Sequence, residues 1–187
     1  MPNEEYAIVL DYLPTGKSSS FKSEPTAQVI GTQFFTLLEV TPSDLLKVLE
    51  KVYIGKDKRD KIQFIKRRVS FDELTNTSIS EIEKAIEIIV KEDNQRFLDF
   101  FNKAGSLSLR MHQLELLPGL GKKHLFALLK LREQRPFESF EEISTKIHLM
   151  PNPAKLIAKR IMIELEDPKL KYYIFARPPA REERSFR

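Results

Sequence analysis

Residues 116–125 read LLPGLGKKHL, a tight turn set between two apolar helical stretches in the second half of the chain. Pro118 leads a turn in which Gly119 and Gly121 flank Leu120, and Lys122, Lys123 and His124 follow at once. The flanks, SLSLRMHQLELL before and HLFALLKLREQ after, have helical apolar spacing. A glycine turn lets backbone approach a ligand with no Cβ in the way. A helix restarting near Gly121 exposes unpaired N–H groups and a partial positive charge, and Lys122 and Lys123 add full charges there. Such a set suits a phosphate. Two other phosphate motifs fail on detail. A GxGxxG fingerprint needs glycine where His124 stands and a strand, not a helix, before it. A Walker loop needs Ser or Thr after Lys122, where the chain has Lys123. The plain alternative is a tight helix–helix turn with no ligand.

The stretch has a second copy. Leu117, Pro118, Gly119, Leu120, Gly121 and Lys122 align with Met150, Pro151, Asn152, Pro153, Ala154 and Lys155, an offset of 33 residues. Here both glycines are replaced. Pro153 has no N–H to donate and suits the first position of a helix, so this copy reads mainly as scaffold. Asn152, Lys155, Lys159 and Arg160 remain candidates for weaker phosphate contact. Between the copies, PFESFEEISTKI (136–147) forms a linking helix, capped at Ser139 with Glu142 three residues on. Glu141–Glu142 and Glu164–Glu166 read as solvated faces.

Upstream of about residue 70 the period is that of strands. YAIVLDYL (6–13), AQVIG (27–31), FFTLLEV (34–40), VYIG (52–55) and KIQFIKRRV (61–69) are β-rich, and LPTGKSSSFKSEPT (13–26) is a polar loop. TPSDLLKVLEK (41–51) reads as a helical insert. A change of apolar parity between Phe64 and Ile65 suggests a bulge. Five short strands with one long early loop match the size of a small closed barrel such as an OB-fold. A second basic cluster falls here: Lys56, Lys58, Arg59, Lys61, Lys66, Arg67 and Arg68, against Asp57 and Asp60. With Phe64 and Tyr53 as stacking candidates, it could bind an unpaired strand; the alternative is a solvated strand and loop.

From residue 78 the period is helical. Ser78 and Glu81 form a capping-box pair ahead of Ile79, Ile82, Ile86, Ile89 and Val90. Asp93 or Asn94 caps a second helix carrying Phe97, Leu98, Phe100, Phe101 and Ala104, a core stripe ended by Gly105. Ser106 starts a third with Leu107, Met111, Leu114 and Leu117.

Composition bounds the function. Of 187 residues 41% are hydrophobic, enough for a real core. Lys plus Arg number 31 against 27 Asp plus Glu, a net charge of +4, so the placement of cations matters more than their total. The absence of cysteine excludes disulfides, Cys-ligated zinc, iron–sulfur clusters and thiol catalysis. The acidic start MPNEEYAIVLDYL is unlike a signal peptide, and no apolar run reaches the ~20 residues of a membrane span. A soluble cytoplasmic protein with no membrane partner is expected. Lysine, glutamate and isoleucine without cysteine or tryptophan suit a thermophile. His112, His124 and His148 stand in no metal-ligand spacing. His124 at a helix start and His148 at a helix end read as surface or capping residues. No catalytic residue, metal or cofactor is expected, and no enzymatic activity.

The repeated turn-and-helix pattern resembles the tandem helix-hairpin-helix module. Its first copy matches the motif closely, and the second departs at Asn152, Pro153 and Ala154. The whole chain resembles an archaeal family of uncharacterised proteins that joins an N-terminal OB-like domain to this module. The residues carrying that likeness are YAIVLDYL, AQVIG, VYIGKDKRDKI, RRVSFDELT, RFLDFFNKA, MHQLELLPGLGKK, RPFESFEEI and IAKRI. The resemblance implies RNA binding. The expected architecture is α+β: an OB-like β-barrel over 1–75, connecting helices over 76–105, a tandem helix-hairpin-helix domain over 106–168 and a basic flexible tail over 169–187. The expected function is nucleic-acid binding through backbone phosphates, with RNA favoured over DNA and ribosome or rRNA association as a specialisation. The alternatives are a DNA-binding protein, an adaptor docking on transcription or translation machinery, and a nuclease accessory domain.

Overall fold

The computed structural model describes residues 4–16 and 24–179. Its described elements give an α+β architecture, with a curled five-stranded antiparallel sheet, a small hairpin and five helices. The chain divides into two compact units, Met1–Ala85 with Ile163–Arg187, and Ile86–Met162. These boundaries fall inside helices, not at the residue 75/76 junction expected from the change of period.

In the first unit the strands are β1 (Tyr6–Leu13), β2 (Thr26–Gly31), β3 (Leu37–Pro42), β4 (Lys51–Tyr53) and β5 (Ile62–Arg68), ordered β4-β1-β2-β3-β5. Alternate residues Ala7 and Val9, Ala27 and Val29, Leu38 and Val40, Val52 and Ile54 pack with Ile62 into one apolar cluster. This is the period of two that a pleated strand imposes. Burying each of the larger ones contributes about 1.5–3 kcal/mol. The bulge expected between Phe64 and Ile65 does not fall there: these two pair in register with Thr41 and Val40, and the β3–β5 ladder is irregular on either side, at Glu39/Val40 and Thr41/Pro42, where Lys66 and Gln63 are left over. Among the described residues no ladder joins β4 to β5, so the sheet is open where a closed barrel was expected.

The expected helical insert does not form. Residues 43–50 are turns: the Asp44 carboxylate takes the Leu45 N–H at 2.7 Å, Glu50 takes the Lys47 N–H at 3.0 Å, and Leu49 sits at φ 65°. Local side-chain acceptors compete with helical bonding there, and Leu45 is left exposed.

A polar clamp joins the sheet to the first helix, α1 (Asn76–Glu92). Buried Gln28 donates to the Glu73 carbonyl at 3.0 Å and accepts from the Thr75 N–H at 2.9 Å and the Ser78 hydroxyl at 2.8 Å. Thr75 in turn donates to Asp11 at 2.7 Å. Thr75 also caps α1, accepting the Ser78 N–H at 3.1 Å. The helix thus starts before Ser78, and Ile79, expected on the buried face, is exposed. Ahead of the clamp, Glu73 accepts from the Ser70 N–H at 2.8 Å and from Arg67 at 2.5 Å. The Ser70 bond first, then Arg67, lower its pKa to about 2. A depressed carboxylate pKa contributes stability that is complete above the unfolded value and lost as pH falls toward the folded one. Glu73→Gln should therefore cost about 1 kcal/mol at neutral pH, discounted for solvent exposure. The difference should vanish near a pH of about 2. Urea denaturation of both proteins across pH checks this.

The stretch expected to be a flexible tail from residue 169 is anchored as far as it is described. The Glu164 carboxylate accepts from the N–H groups of Ile174 at 2.9 Å, Phe175 at 3.0 Å and Ala176 at 2.7 Å. The Arg177 N–H reaches the Phe34 carbonyl at 2.8 Å. Residues 180–187 lie outside the described residues, as does 17–23 of the early loop.

The second unit holds the end of α1, α2 (Asn94–Lys103), a hairpin of β6 (Ser106–Ser108) and β7 (Met111–His112), α3 (Lys122–Gln134), α4 (Phe140–Lys146) and the start of α5 (Pro153–Glu166). Phe97, Leu98 and Phe101 are buried, and Phe101 meets Phe140 edge-on at 5.9 Å, so the Phe-rich stripe is core. The helix expected from Ser106 is replaced by the hairpin and a 3-10 turn over Gln113–Leu116. His112 begins that turn, its Nδ1 accepting the Leu114 N–H at 3.1 Å, while its own N–H donates to the Glu115 carboxylate at 2.7 Å. Burial first, then the Arg132 charge, hold this imidazole below its usual range.

Candidate nucleic-acid interface

The Pro118 turn closes on two backbone bonds, Leu117 N–H to Leu114 and Leu120 N–H to Leu117, both 3.1 Å. The first recurs at the 33-residue offset, as Met150 N–H to Ile147 at 3.2 Å. Gly119 has φ +94°, which only glycine adopts without strain. Gly121 is different. It caps α3 at φ −79° and ψ 165°, open to any residue, and a Cβ there would meet nothing within 4 Å. Neither conformation nor packing requires glycine at 121.

The helix that follows is bare at its start. Its first intrahelical bond is Leu125 N–H to Gly121 at 3.0 Å. No side chain caps it and no acidic residue lies in its first turn. Lys122 and Lys123 are exposed beside these N–H groups. His124, expected at the surface, is half-buried, and its Nδ1 has no partner among the described residues. Of the other helices, α2 likewise has no side-chain cap bond and no acidic residue in its first turn, whereas α1, α4 and α5 are capped. Thr75 caps α1, the Ser139 hydroxyl takes the Glu142 N–H of α4 at 3.0 Å, and Asn152 takes the Lys155 N–H of α5 at 3.2 Å. Helix α2 follows α1 across the single residue Asp93.

The second copy is therefore already occupied at the donor a phosphate would meet. Lys155 and Lys159 are exposed, but Arg160 is 6% exposed and reaches the Leu116 carbonyl at 3.4 Å. It holds the first turn and is not presented for phosphate.

The sheet-domain cluster is largely committed to internal pairs. Lys61 pairs with Glu50. Lys66 meets Glu24 at 3.0 Å and Thr26 at 2.9 Å, and Arg67 meets Glu39 at 3.0 Å. Arg68 donates to the Arg177 and Pro178 carbonyls, both at 2.8 Å, and the Arg59 Nε to Gly55 at 2.8 Å. Tyr53 packs edge-on against Tyr6 at 5.3 Å and bonds Asp57. Lys56 and Lys58 in the loop and Phe64, 41% exposed, remain presented. A cleft of about 510 Å³ near Arg68 and Arg177 has mixed charge, with Asp72, Glu164 and Glu166 in its lining.

Sequence reasoning missed three side chains. Phe126 on α3 is 65% exposed, Leu149 in the second turn is 80% exposed at φ 55°, and Leu109 at the hairpin tip is fully exposed. The signal for Phe126 was present: Leu125 and Leu128 define the buried stripe, and 126 falls off it. Among the described residues no three His, Asp or Glu side chains converge as a metal site, and no helix is long and apolar enough to cross a membrane.

The family model described as protein of unknown function (DUF655) matches residues 3–177. The chain belongs to the DUF655 family. An uncharacterised protein of Methanocaldococcus jannaschii, MJ0038, is 41% identical over 177 residues, spanning 93% of this chain and 80% of that protein. The crystal structure of Af1531 from Archaeoglobus fulgidus, a DUF655 protein, is 44% identical with a TM-score of 0.86, covering 93% of this chain and all of that one. Within this DUF655 chain, the bare start of α3 brings together Gly119, Leu120, Gly121, Lys122 and Lys123, five neighbours in sequence that share one exposed turn.

Proposed function

We propose that this DUF655 chain binds nucleic acid without catalysing a reaction, gripping sugar–phosphate backbone at the start of α3. One observation carries the reading: α3 begins at a glycine that the fold does not require, with no side-chain acceptor on its first N–H groups. Backbone donors, the positive helix end and the exposed Lys122 and Lys123 then lie together at one open helix start, a setting that suits a phosphate. Such contacts position a backbone and read little sequence. On this reading the two turns form a tandem helix-hairpin-helix module with an active first copy and a structural second one. The sheet is OB-like, contributing at most Lys56, Lys58 and Phe64. RNA is favoured over DNA by the family resemblance, and association with ribosomal RNA is a natural setting.

A second reading, docking on a protein partner, is favoured by exposed Leu109 and Leu149. Salt separates the two. Binding of labelled RNA or DNA duplex, followed by fluorescence anisotropy, should weaken steeply as salt rises. In the Lys122→Ala/Lys123→Ala variant the salt slope should be shallower by roughly one to two units, about 0.9 per lost phosphate contact on B-DNA. The loss should be equal across sequences. A slope that the double variant leaves unchanged would remove these lysines from the interface.

A further inference from the structure

Resting on the backbone-binding reading above, we infer that α3 also takes an unpaired nucleobase, stacked on Phe126. The phosphate site would then belong to a junction where a strand leaves its duplex. In an α-helix residues four apart lie about 40° apart around the axis and about 6 Å apart along it. Lys122 and Lys130 therefore flank Phe126 on one face of α3, with Lys123 about 60° to its side. All three lysines are exposed. Phe126 is 65% exposed and has no ring partner among the described residues, unlike Tyr53 or Phe101. Glu133, one turn beyond Lys130, ends the cationic stripe.

An aromatic ring held in water between cations is poorly placed for packing within the fold. It suits a polyanion that carries π-faces. Single strands are bound by this pairing of backbone cations with stacking aromatics. A buried protein interface, by contrast, is depleted in lysine at its centre. The occupant is thus a nucleic-acid strand whose phosphate lies at Gly121–Lys123 and whose neighbouring base reaches Phe126. A base inside a regular duplex is already stacked and cannot present a face to the ring, so the inference specifies an unpaired nucleotide beside the gripped phosphate.

The test uses the full chain and two RNA probes, a blunt duplex and the same duplex with a single-stranded overhang. A fluorescent base analogue that is quenched by stacking occupies the first unpaired position. Phe126→Ala, on an exposed helical site, should leave the melting temperature nearly unchanged. It should weaken overhang binding about tenfold, abolish the quenching and leave blunt-duplex binding intact. Phe126→Trp should restore both signals, and Phe126→Leu should not. Unchanged overhang binding in Phe126→Ala, with both probes weakened by the Lys122→Ala/Lys123→Ala variant, overturns the stacking inference while the phosphate site stands. Equal losses on both probes, or rescue by leucine, overturn it in favour of a simple apolar contact. If the lysine variant weakens neither probe, the backbone-binding reading fails and takes this inference with it.

Discussion

Replacing Glu164 with alanine is expected to destabilise the chain by roughly 3 kcal/mol, because it leaves three backbone donors without their acceptor. The carboxylate is almost fully buried, and it receives the N–H groups of Ile174, Phe175 and Ala176 in a segment with no helix or strand of its own. A buried donor that loses its partner costs more than a made hydrogen bond contributes. For a chain of this size the loss corresponds to a fall in melting temperature of about 6–12 °C. Glu164→Gln keeps an acceptor oxygen of the same shape and should cost less than alanine. Thermal and urea denaturation measure both. A loss below about 1 kcal/mol for alanine would mean that water replaces the carboxylate at these amides.

The second large effect is expected at Gly31. A Cβ on this residue would lie 2.1 Å from the Glu4 Cδ. That space is taken because the Glu4 carboxylate accepts the N–H groups of Gln33 at 2.8 Å, Phe34 at 3.0 Å and Thr36 at 3.1 Å, organising the turn between β2 and β3. Gly31→Ala must push Glu4 out of this nest, costing roughly 3 kcal/mol in unpaired amides. Glu4→Ala removes the same interactions, so the two changes should not add: the double variant should be about as stable as Glu4→Ala alone. Full additivity would show that alanine at 31 acts through the strand and not through Glu4.

These two carboxylates also mark where sequence reading ran out. Strand positions were legible because β-rich runs such as YAIVLDYL and FFTLLEV are short and separated by polar turn and loop residues, and both faces of β2 and β3 are in fact buried. Long helices were legible by the 3.6-residue spacing of their apolar residues. The turn at Pro118 and its echo at Pro151 were legible because special backbone demands special residues, and the shared bond at the 33-residue offset reflects that. Glu164 looked like a solvated glutamate because its partners lie in a segment with no periodicity to announce it. Residues 43–50 looked helical because Leu45, Leu46, Val48 and Leu49 have helical spacing; the Asp44 and Glu50 acceptors decided otherwise. The 106–112 hairpin was misread for a related reason: Leu107 and Met111 suit either period over so short a span. At the candidate site the charges were legible, but their availability was not. Lys66, Arg67 and Arg68 look the same in sequence as Lys122 and Lys123, and only the fold shows which are already paired.

The most direct measurement is on Gly121. Serine there would supply the hydroxyl cap that Ser139 gives α4, so the protein should be as stable as before or more stable by a few tenths of a kcal/mol. The same hydroxyl would occupy the bare N–H groups and fill the open space above them, and nucleic-acid binding should fall about tenfold or more. Melting temperature and anisotropy on the Gly121→Ser protein read both quantities in one preparation. The Gly121→Ser protein is expected to hold or gain stability while losing its ligand. Unchanged affinity for duplex and junction probes, with the fold intact, would mean that the glycine turn is scaffold and that nucleic acid is not held at the start of α3.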